Sequence, residues 1–401
     1  MGAFFSRGAL AVYSIFLSSL MTENDYANYG LIYTSALAVT AVASFSLGVP
    51  MRNNFVHLKK NKLLSGAYGL CLIFLFITSV SISLFLVTSS SYFIFLPLIV
   101  VLQGIIGLND YYFSGLQRFK LYNKINFICG VLLLSLVFIF HQIKLDLKLL
   151  DSLIILTLYS WLCLSLQLYP IFKTGFIPNF KIKQITKFYK SYSNEISPLL
   201  FQSFFNLPII AISLFILEFN TQNSLLIAII VFSNQIVGLF NTFFNKILTV
   251  LLPILRNNLT SELKKFKAGV NKQIKVFICF SPLIFLCYKI IPFLLNALTP
   301  KFESFSFEIS TYIILNLITY LYWYFQEVNI LLKNNWMVFK LNVVWGLLTI
   351  IILIIQINYL GSQKFGLINY IFSVILSRVI PLGCLVYLFI KNTSSYEKNT
   401  I

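Results

Sequence analysis

Charge is scarce in this chain, and negative charge is scarcer still. Only 10% of its 401 residues are Asp, Glu, Lys or Arg, and 12 acidic residues stand against 30 basic ones. A soluble domain carries about a quarter charged residues, so an ordinary water-soluble globule is excluded. Histidine is nearly missing: His57 and His141 are alone and far apart. The six cysteines (Cys71, Cys129, Cys163, Cys279, Cys287, Cys384) each fall in an apolar run, and none forms a Cys-x-x-Cys pair. Neither a metal site nor a disulfide framework is expected. No Gly-x-x-x-x-Gly-Lys-Ser/Thr occurs, which argues against direct nucleotide hydrolysis. No cofactor is expected.

What is abundant is apolar. The chain is 58% hydrophobic, with a mean hydropathy of +0.86, which is the composition of a membrane protein. A net charge of +18 would suggest nucleic acid in a soluble protein. Here the basic residues sit in short tracts between apolar runs, so membrane topology explains them and no nucleic-acid partner is expected.

A spanning helix needs about 20 mostly apolar residues. Twelve runs qualify: 3–20, 29–50, 66–87, 92–116, 121–140, 152–172, 196–217, 225–254, 274–297, 308–332, 338–357 and 365–390. The connecting segments alternate in charge. One set carries 22 Lys or Arg, from Arg52 and Lys59 through Lys181 and Lys264 to Lys398; the other carries only Lys144, Lys148, Lys301 and Lys364. Basic loops stay inside, so both termini are expected to be cytoplasmic. In 255–273, Leu259, Leu263, Phe266, Val270 and Ile274 recur near helical spacing, with lysines opposite. That pattern fits an amphipathic helix on the inner membrane surface or a solvated basic loop.

The chain also echoes itself. "PMRNN" (50–54) closes the second run and "PILRNN" (253–258) the eighth, each with Lys-Lys soon after; "RFKLYN" (118–123) follows the fourth run and "VFKLN" (338–342) the tenth. In each copy Pro is expected to end the helix, Arg to anchor it, and Asn-Asn to open the basic loop. Both echoes are six spans apart, so orientation is preserved and the repeat is parallel. The expectation is an all-α multi-pass membrane protein of about twelve helices in two parallel six-helix bundles, 1–190 and 191–401, around a central cavity.

Charges inside spans are costly and by default face the protein interior. Those well inside a run are Arg7, Asp110, Lys246, Glu327 and Arg378, while Lys289, in the outer part of the ninth run, can snorkel to the surface. Asp110 and Glu327 occupy equivalent spans at similar depth, which suits either an ion-coupling site or two structural ion pairs. Arg378 stands three residues before Pro381. A bent helix with a mid-membrane guanidinium suits anion binding; an ion pair with Asp110 or Glu327 is the alternative. Asn234, Asn241 and Asn245 share one helix face beside Lys246, as do Arg7, Ser14 and Ser18, and Glu195, Gln202 and Asn206. Such stripes either glue helices together or line a cavity. The tyrosines of "NDYYFSG" (109–115) and "TYLYWYFQE" (319–327) read first as membrane-interface residues.

The early Arg7, the segment "SSLMTENDYANYGLIYTSALAVTAVASFSLGVPMRNN" (18–54), "VLLP" (250–253) before a Lys-rich loop, and "LLNALTPKFESF" (294–305) together resemble the polysaccharide and O-antigen flippases (Wzx-like) of the multidrug/oligosaccharidyl-lipid/polysaccharide (MOP) exporter superfamily. The resemblance implies a flippase, not an enzyme. Its substrate would be an undecaprenyl-diphosphate-linked oligosaccharide, an O-antigen or capsule repeat unit, crossing the bacterial inner membrane by alternating access. It further implies membrane lipid, a polysaccharide polymerase and a chain-length regulator as partners, and cationic cavity residues that hold the diphosphate. Arg7 carries that role over by position. Lys246 and Arg378, with Asn241 and Asn245, join it from depth and polarity, and Arg52 and Arg256 are placed at the cytoplasmic mouth. Two other functions are weighed. A cation-coupled multidrug (MATE-type) exporter would favour an acidic cavity, whereas the charges here are mostly basic. A membrane glycosyltransferase or polymerase would need a sizeable outer loop, and the outer loops are short.

Overall fold

The computed structural model describes residues 2–43, 63–86, 95–116, 119–143, 147–203, 205, 207–261, 263–284, 286–332 and 334–398. Among these it is all-helical. The helices are α1 (Gly2–Leu20), α2 (Glu23–Ala43), α3 (Leu64–Leu86), α4 (Phe95–Gly115), α5 (Phe119–Ile143), α6 (Leu149–Lys173), α7 (Ile182–Ser203), α8 (Leu207–Thr221), α9 (Ser224–Ser261), α10 (Leu263–Ile284), α11 (Cys287–Leu298), α12 (Ser306–Leu331), α13 (Asn335–Leu360) and α14 (Leu367–Lys398), with a 3-10 segment at Pro300–Phe305. Nine helices among the described residues are long and apolar enough to cross a membrane. They cover nine of the twelve expected runs. The other three places are held by α1, diluted by Arg7 and four serines, by α2, which opens on Glu23-Asn24-Asp25, and by the pair α10 and α11, neither of which alone has the length and composition of a span.

Two compact units appear, Met1–Phe219 and Asn220–Ile401. The halves expected from the echo, 1–190 and 191–401, meet inside α7 (Ile182–Ser203), and α7 packs on α3 and α2. In the first unit α1 packs most extensively on α5, and α4 lies among α6, α2 and α3. Its interior holds a tyrosine cluster. Tyr26, Tyr29 and Tyr33 share one face of α2 and stack at 6.2 and 5.8 Å, with Tyr13 edge-on to Tyr29 at 6.1 Å. Two of the hydroxyls are bonded within the unit: Tyr13 donates to the Ser152 carbonyl (2.7 Å), and Tyr26 pairs with Ser14 (3.1 Å). In the second unit α12 is central and packs on α14, α9 and α11.

Three expectations need correction. The second "PILRNN" does not end a helix: α9 continues through Pro253, Arg256, Asn257 and Asn258 to Ser261. Its 38 residues span about 57 Å, nearly twice the bilayer core, so the helix outruns the membrane. The first copy, with Arg52, lies outside the described residues. Of the stretch 255–273 expected to be amphipathic, 255–261 belongs to α9 and 263–273 to α10, and the apolar stripe of α10 is turned to protein: Phe266 meets Phe389 at 6.3 Å, and the Val270 carbonyl accepts from Tyr324. Burial of Phe266 and Val270 against α12 and α14 leaves Lys264, Lys265, Lys272 and Lys275 exposed. Third, most of the tyrosines read as interface residues are interior. Tyr112, Tyr320, Tyr322 and Tyr324 are buried, because each side chain lies on a packed helix face and three hydroxyls find partners there: Tyr322 on Asn342, Tyr324 on Val270, Tyr112 on Thr174.

The segment after α6 also sets a local geometry. Gly175 adopts φ +69°, a conformation that side chains disfavour, and turns the chain back over α3. There Asn179 N–H donates to the Ser65 carbonyl at 3.0 Å. A Cβ on Gly69 would collide with the Asn179 carbonyl, so only glycine lets this backbone approach. Gly69→Ala is expected to cost about 1–3 kcal/mol and to speed hydrogen exchange at Asn179. Unchanged exchange would show that the segment is not held by this contact.

Candidate functional site

The second unit buries a cation among neutral groups. Arg378, on α14, is 3% exposed. Its Nη1 donates to Thr319 Oγ1 of α12 at 2.5 Å, and its Cζ lies 4.6 Å from the centre of the Trp345 ring of α13. The hydroxyls of Tyr312, Tyr322 and Tyr370 lie within electrostatic reach of the guanidinium. Among the described residues no carboxylate pairs with Arg378, so neither an ion pair with Glu327 nor one with Asp110 is found. Two buried donors at this contact have no acceptor among the described residues: Arg378 Nε and Trp345 Nε1.

The neutral shell is ordered by α12. Tyr312, Asn316, Thr319, Tyr322, Gln326 and Asn329 recur at intervals of three or four, so they fall on one side of the helix, and all are buried. Tyr312 donates to Asn234 Oδ1 (2.8 Å), and the Asn234 amide donates to Tyr370 (3.3 Å). Asn316 donates to Asn241 Oδ1 at 2.7 Å. Tyr322 and Gln326 both donate to Asn342 Oδ1, at 2.8 and 2.6 Å. Asn329 donates to the Leu385 carbonyl of α14 at 3.1 Å. Thr349 and Ser377 pair at 2.7 Å beside Trp345 and Arg378. Each such bond contributes about 0.6 kcal/mol in a membrane, so their collective role is to fix which side chains face Arg378.

Magnitudes decide what Arg378 is for. A guanidinium at mid-membrane depth costs about 2.5–3.5 kcal/mol. One hydrogen bond to a charged group returns about 1.5–3 kcal/mol, and a desolvated cation–π contact about 2 kcal/mol. The return, about 3.5–5 kcal/mol, covers the cost and makes the charge tolerable, but well-packed apolar residues commonly do as well or better at a buried charged site, so stability alone gives little reason to keep a charge here.

The other expected site residues are placed as follows. Asn241, on α9, is half-buried and held by Asn316. Asn234 and Asn241 thus both bridge α9 to α12. Asp110, on α4, is half-buried and accepts a hydrogen bond from Gln167 of α6 at 3.1 Å. Glu327 is half-buried on α12. Asp110 belongs to the first unit and Glu327 to the second. Arg7 lies on α1, and Asn245, Lys246 and Arg256 on α9; their side chains, and Arg52 as a whole, lie outside the described residues. Sequence reasoning missed Thr319, Trp345, Asn316, Asn342 and the buried tyrosines. The α12 periodicity was the available signal, hidden inside an aromatic run.

No family model and no curated protein matches the sequence. Solved structures do resemble it. One is an inward-facing multidrug resistance MATE family transporter of the MOP superfamily, with TM-score 0.74, 11% identity, and coverage of 100% of this chain and 96% of that one. Another is an outward-facing multidrug resistance MATE family transporter of the MOP superfamily, at TM-score 0.67 and 11% identity, covering 98% and 94%. A third is a MOP superfamily transporter from Pyrococcus furiosus, described as having a binding pocket of reverse polarity that suggests a different function (TM-score 0.72, 11% identity, 99% and 94% covered). At these identities the likeness establishes the fold, which is that of a MATE-like multi-pass membrane protein.

Thr319→Val removes the one side-chain hydrogen bond to the buried guanidinium. It should destabilise the protein by about 1.5–3 kcal/mol, read as a fall of several degrees in the thermal unfolding midpoint in detergent. An unshifted midpoint would mean that Arg378 is held otherwise.

Proposed function

We propose that the chain is an alternating-access transporter, not an enzyme, and that its cargo is anionic: an undecaprenyl-diphosphate-linked oligosaccharide flipped across a bacterial inner membrane. The observation that carries this reading is the pair of unpartnered buried donors, Arg378 Nε and Trp345 Nε1, on a guanidinium with no carboxylate partner among the described residues. A planar guanidinium matches phosphate geometry, and orphaned donors are the groups an anion would satisfy. The tyrosines and asparagines around it supply neutral hydrogen-bonding groups suited to sugar hydroxyls. Within the second unit Lys246, with Asn241 and Asn245, extends the cationic and polar surface in this reading and Arg256 stands toward the cytoplasm; Arg7 and Arg52 are proposed separately as the cationic cargo contacts of the first unit. Expected partners are membrane lipid, a polysaccharide polymerase and a chain-length regulator.

Transport by alternating access draws support from solved structures of this fold in inward-facing and outward-facing conformations. An anionic cargo draws support from a relative in fold whose pocket polarity is described as reversed. A cation-coupled multidrug exporter is the second reading, favoured by the multidrug transporters that share the fold. It predicts acidic rather than basic cargo contacts.

Replacing the charge separates function from folding. Arg378→Met removes a buried cation that contributes little net stability, so its unfolding midpoint should match or exceed the parent's, while surface polysaccharide in a flippase-null host is lost. Full complementation by Arg378→Met would overturn the anion-site assignment. If Asp110 and Glu327 couple transport to an ion gradient, Asp110→Asn with Glu327→Gln should leave basal flipping unresponsive to gradient collapse. Unaltered gradient dependence would return both acids to structural roles.

A further inference from the structure

A groove of about 390 Å³ opens on the first unit between α3 and α4, capped by the segment that follows α6. Leu72, Leu75, Phe76, Val101 and Ile105 form its walls, and Phe180 closes one end. Its lining is almost wholly apolar, and the exposed rings of Phe76 and Phe180 stand at its rim. Such a lining alone is ordinary for a membrane-facing surface. Two further features set this groove apart.

First, it is built. Gly104 of α4 leaves room for the Leu75 side chain, which a Cβ there would strike, so the two helices close the groove floor. Gly66 and Gly69 of α3 let Gln184 and Asn179 approach closely, and the Asn179-to-Ser65 hydrogen bond pins Phe180 in place. Second, the Phe180 end is strongly basic. Lys181 follows it directly, and Lys173, Lys183, Lys187 and Lys190 are exposed nearby in sequence. No acidic residue stands between Asp151 and Glu195, so nothing on this stretch neutralises them.

An apolar slot that ends at a cluster of exposed lysines is complementary to one kind of molecule: a long apolar chain carrying a negative head. We propose that this groove is a binding site for an anionic membrane phospholipid, with an acyl chain along Leu72, Leu75, Val101 and Ile105 and the phosphate at Lys181 and Lys183. A bilayer supplies this ligand in large excess over any carrier lipid, and juxtamembrane lysines attract anionic headgroups. The site is separate from Arg378, lies within the first unit, and holds whatever the transported cargo is. Its lipid would brace the 176–181 segment and α7 against α3.

The test uses the purified full-length protein in detergent with phosphatidylglycerol and phosphatidylcholine of identical acyl chains, bound lipid being counted by native mass spectrometry. The parent should retain one phosphatidylglycerol at least about fivefold better than phosphatidylcholine. Lys181→Gln with Lys183→Gln, both exposed, should erase that preference while leaving chain binding. Ile105→Trp, which fills the groove, should lose both lipids; Phe180→Ala, on an exposed ring, tests the same contact if Ile105→Trp does not fold. Equal retention of the two headgroups by the parent, or undiminished binding in the groove variants, would overturn the site. Tighter retention of undecaprenyl phosphate than of phosphatidylglycerol would overturn the phospholipid assignment in favour of a carrier lipid.

Discussion

A membrane interior offers no water to satisfy a polar group, so each buried polar side chain must be answered by another part of the chain. In the second unit that constraint converges on α12. Its polar side chains bond to α9 through Asn234 and Asn241, to α13 through Asn342, to α14 through Arg378 and the Leu385 carbonyl, and to α10 through Val270. Shifting α12 by one residue would unmatch all of them together. Helices that find no hydrophobic drive to associate in lipid are thereby given a single register, and the same register delivers Thr319 and Tyr322 to Arg378.

The central tension is that Arg378, a buried cation, has little structural justification. Arg378 touches a hydroxyl and an indole ring, contacts whose combined return covers the cost of burying a guanidinium but which apolar packing could match. A charge that apolar packing could replace, with an N–H that is unsatisfied among the described residues beside another such N–H, is the observation on which the proposed anion site rests. This is why the charge, rather than the abundance of tyrosines around it, is assigned to cargo binding.

Much of the fold was legible in the sequence because hydropathy is a local property. Nine of the twelve apolar runs are helices of spanning length and composition, and the part of the amphipathic stretch 255–273 from Leu263 onward forms a helix of its own. What a helix faces is not local. The stripe with Phe266 and Val270 could equally meet lipid or protein, and only the positions of Phe389 and Tyr324 decide it. Pro253 reads as a stop, yet α9 passes through it. Arg378 and the Asn234/Asn241 stripe were visible as polar residues in apolar runs. Thr319 and Trp345 were not, because a threonine and a tryptophan in an aromatic segment carry no signal until α13 and α14 are packed beside them. The groove at Phe180 was equally hidden, since it depends on glycines from three separate segments.

The account stands or falls on the sign of the cargo. The most direct measurement is translocation in sealed vesicles holding the purified protein, with a fluorescent undecaprenyl-diphosphate oligosaccharide in one set and a cationic dye in another. The proposed function requires that the anionic lipid cross in the parent, that Arg378→Met stop it at unchanged thermal stability, and that the dye not be moved. Transport of the cationic dye with indifference to Arg378 would contradict the account and leave a multidrug exporter in its place.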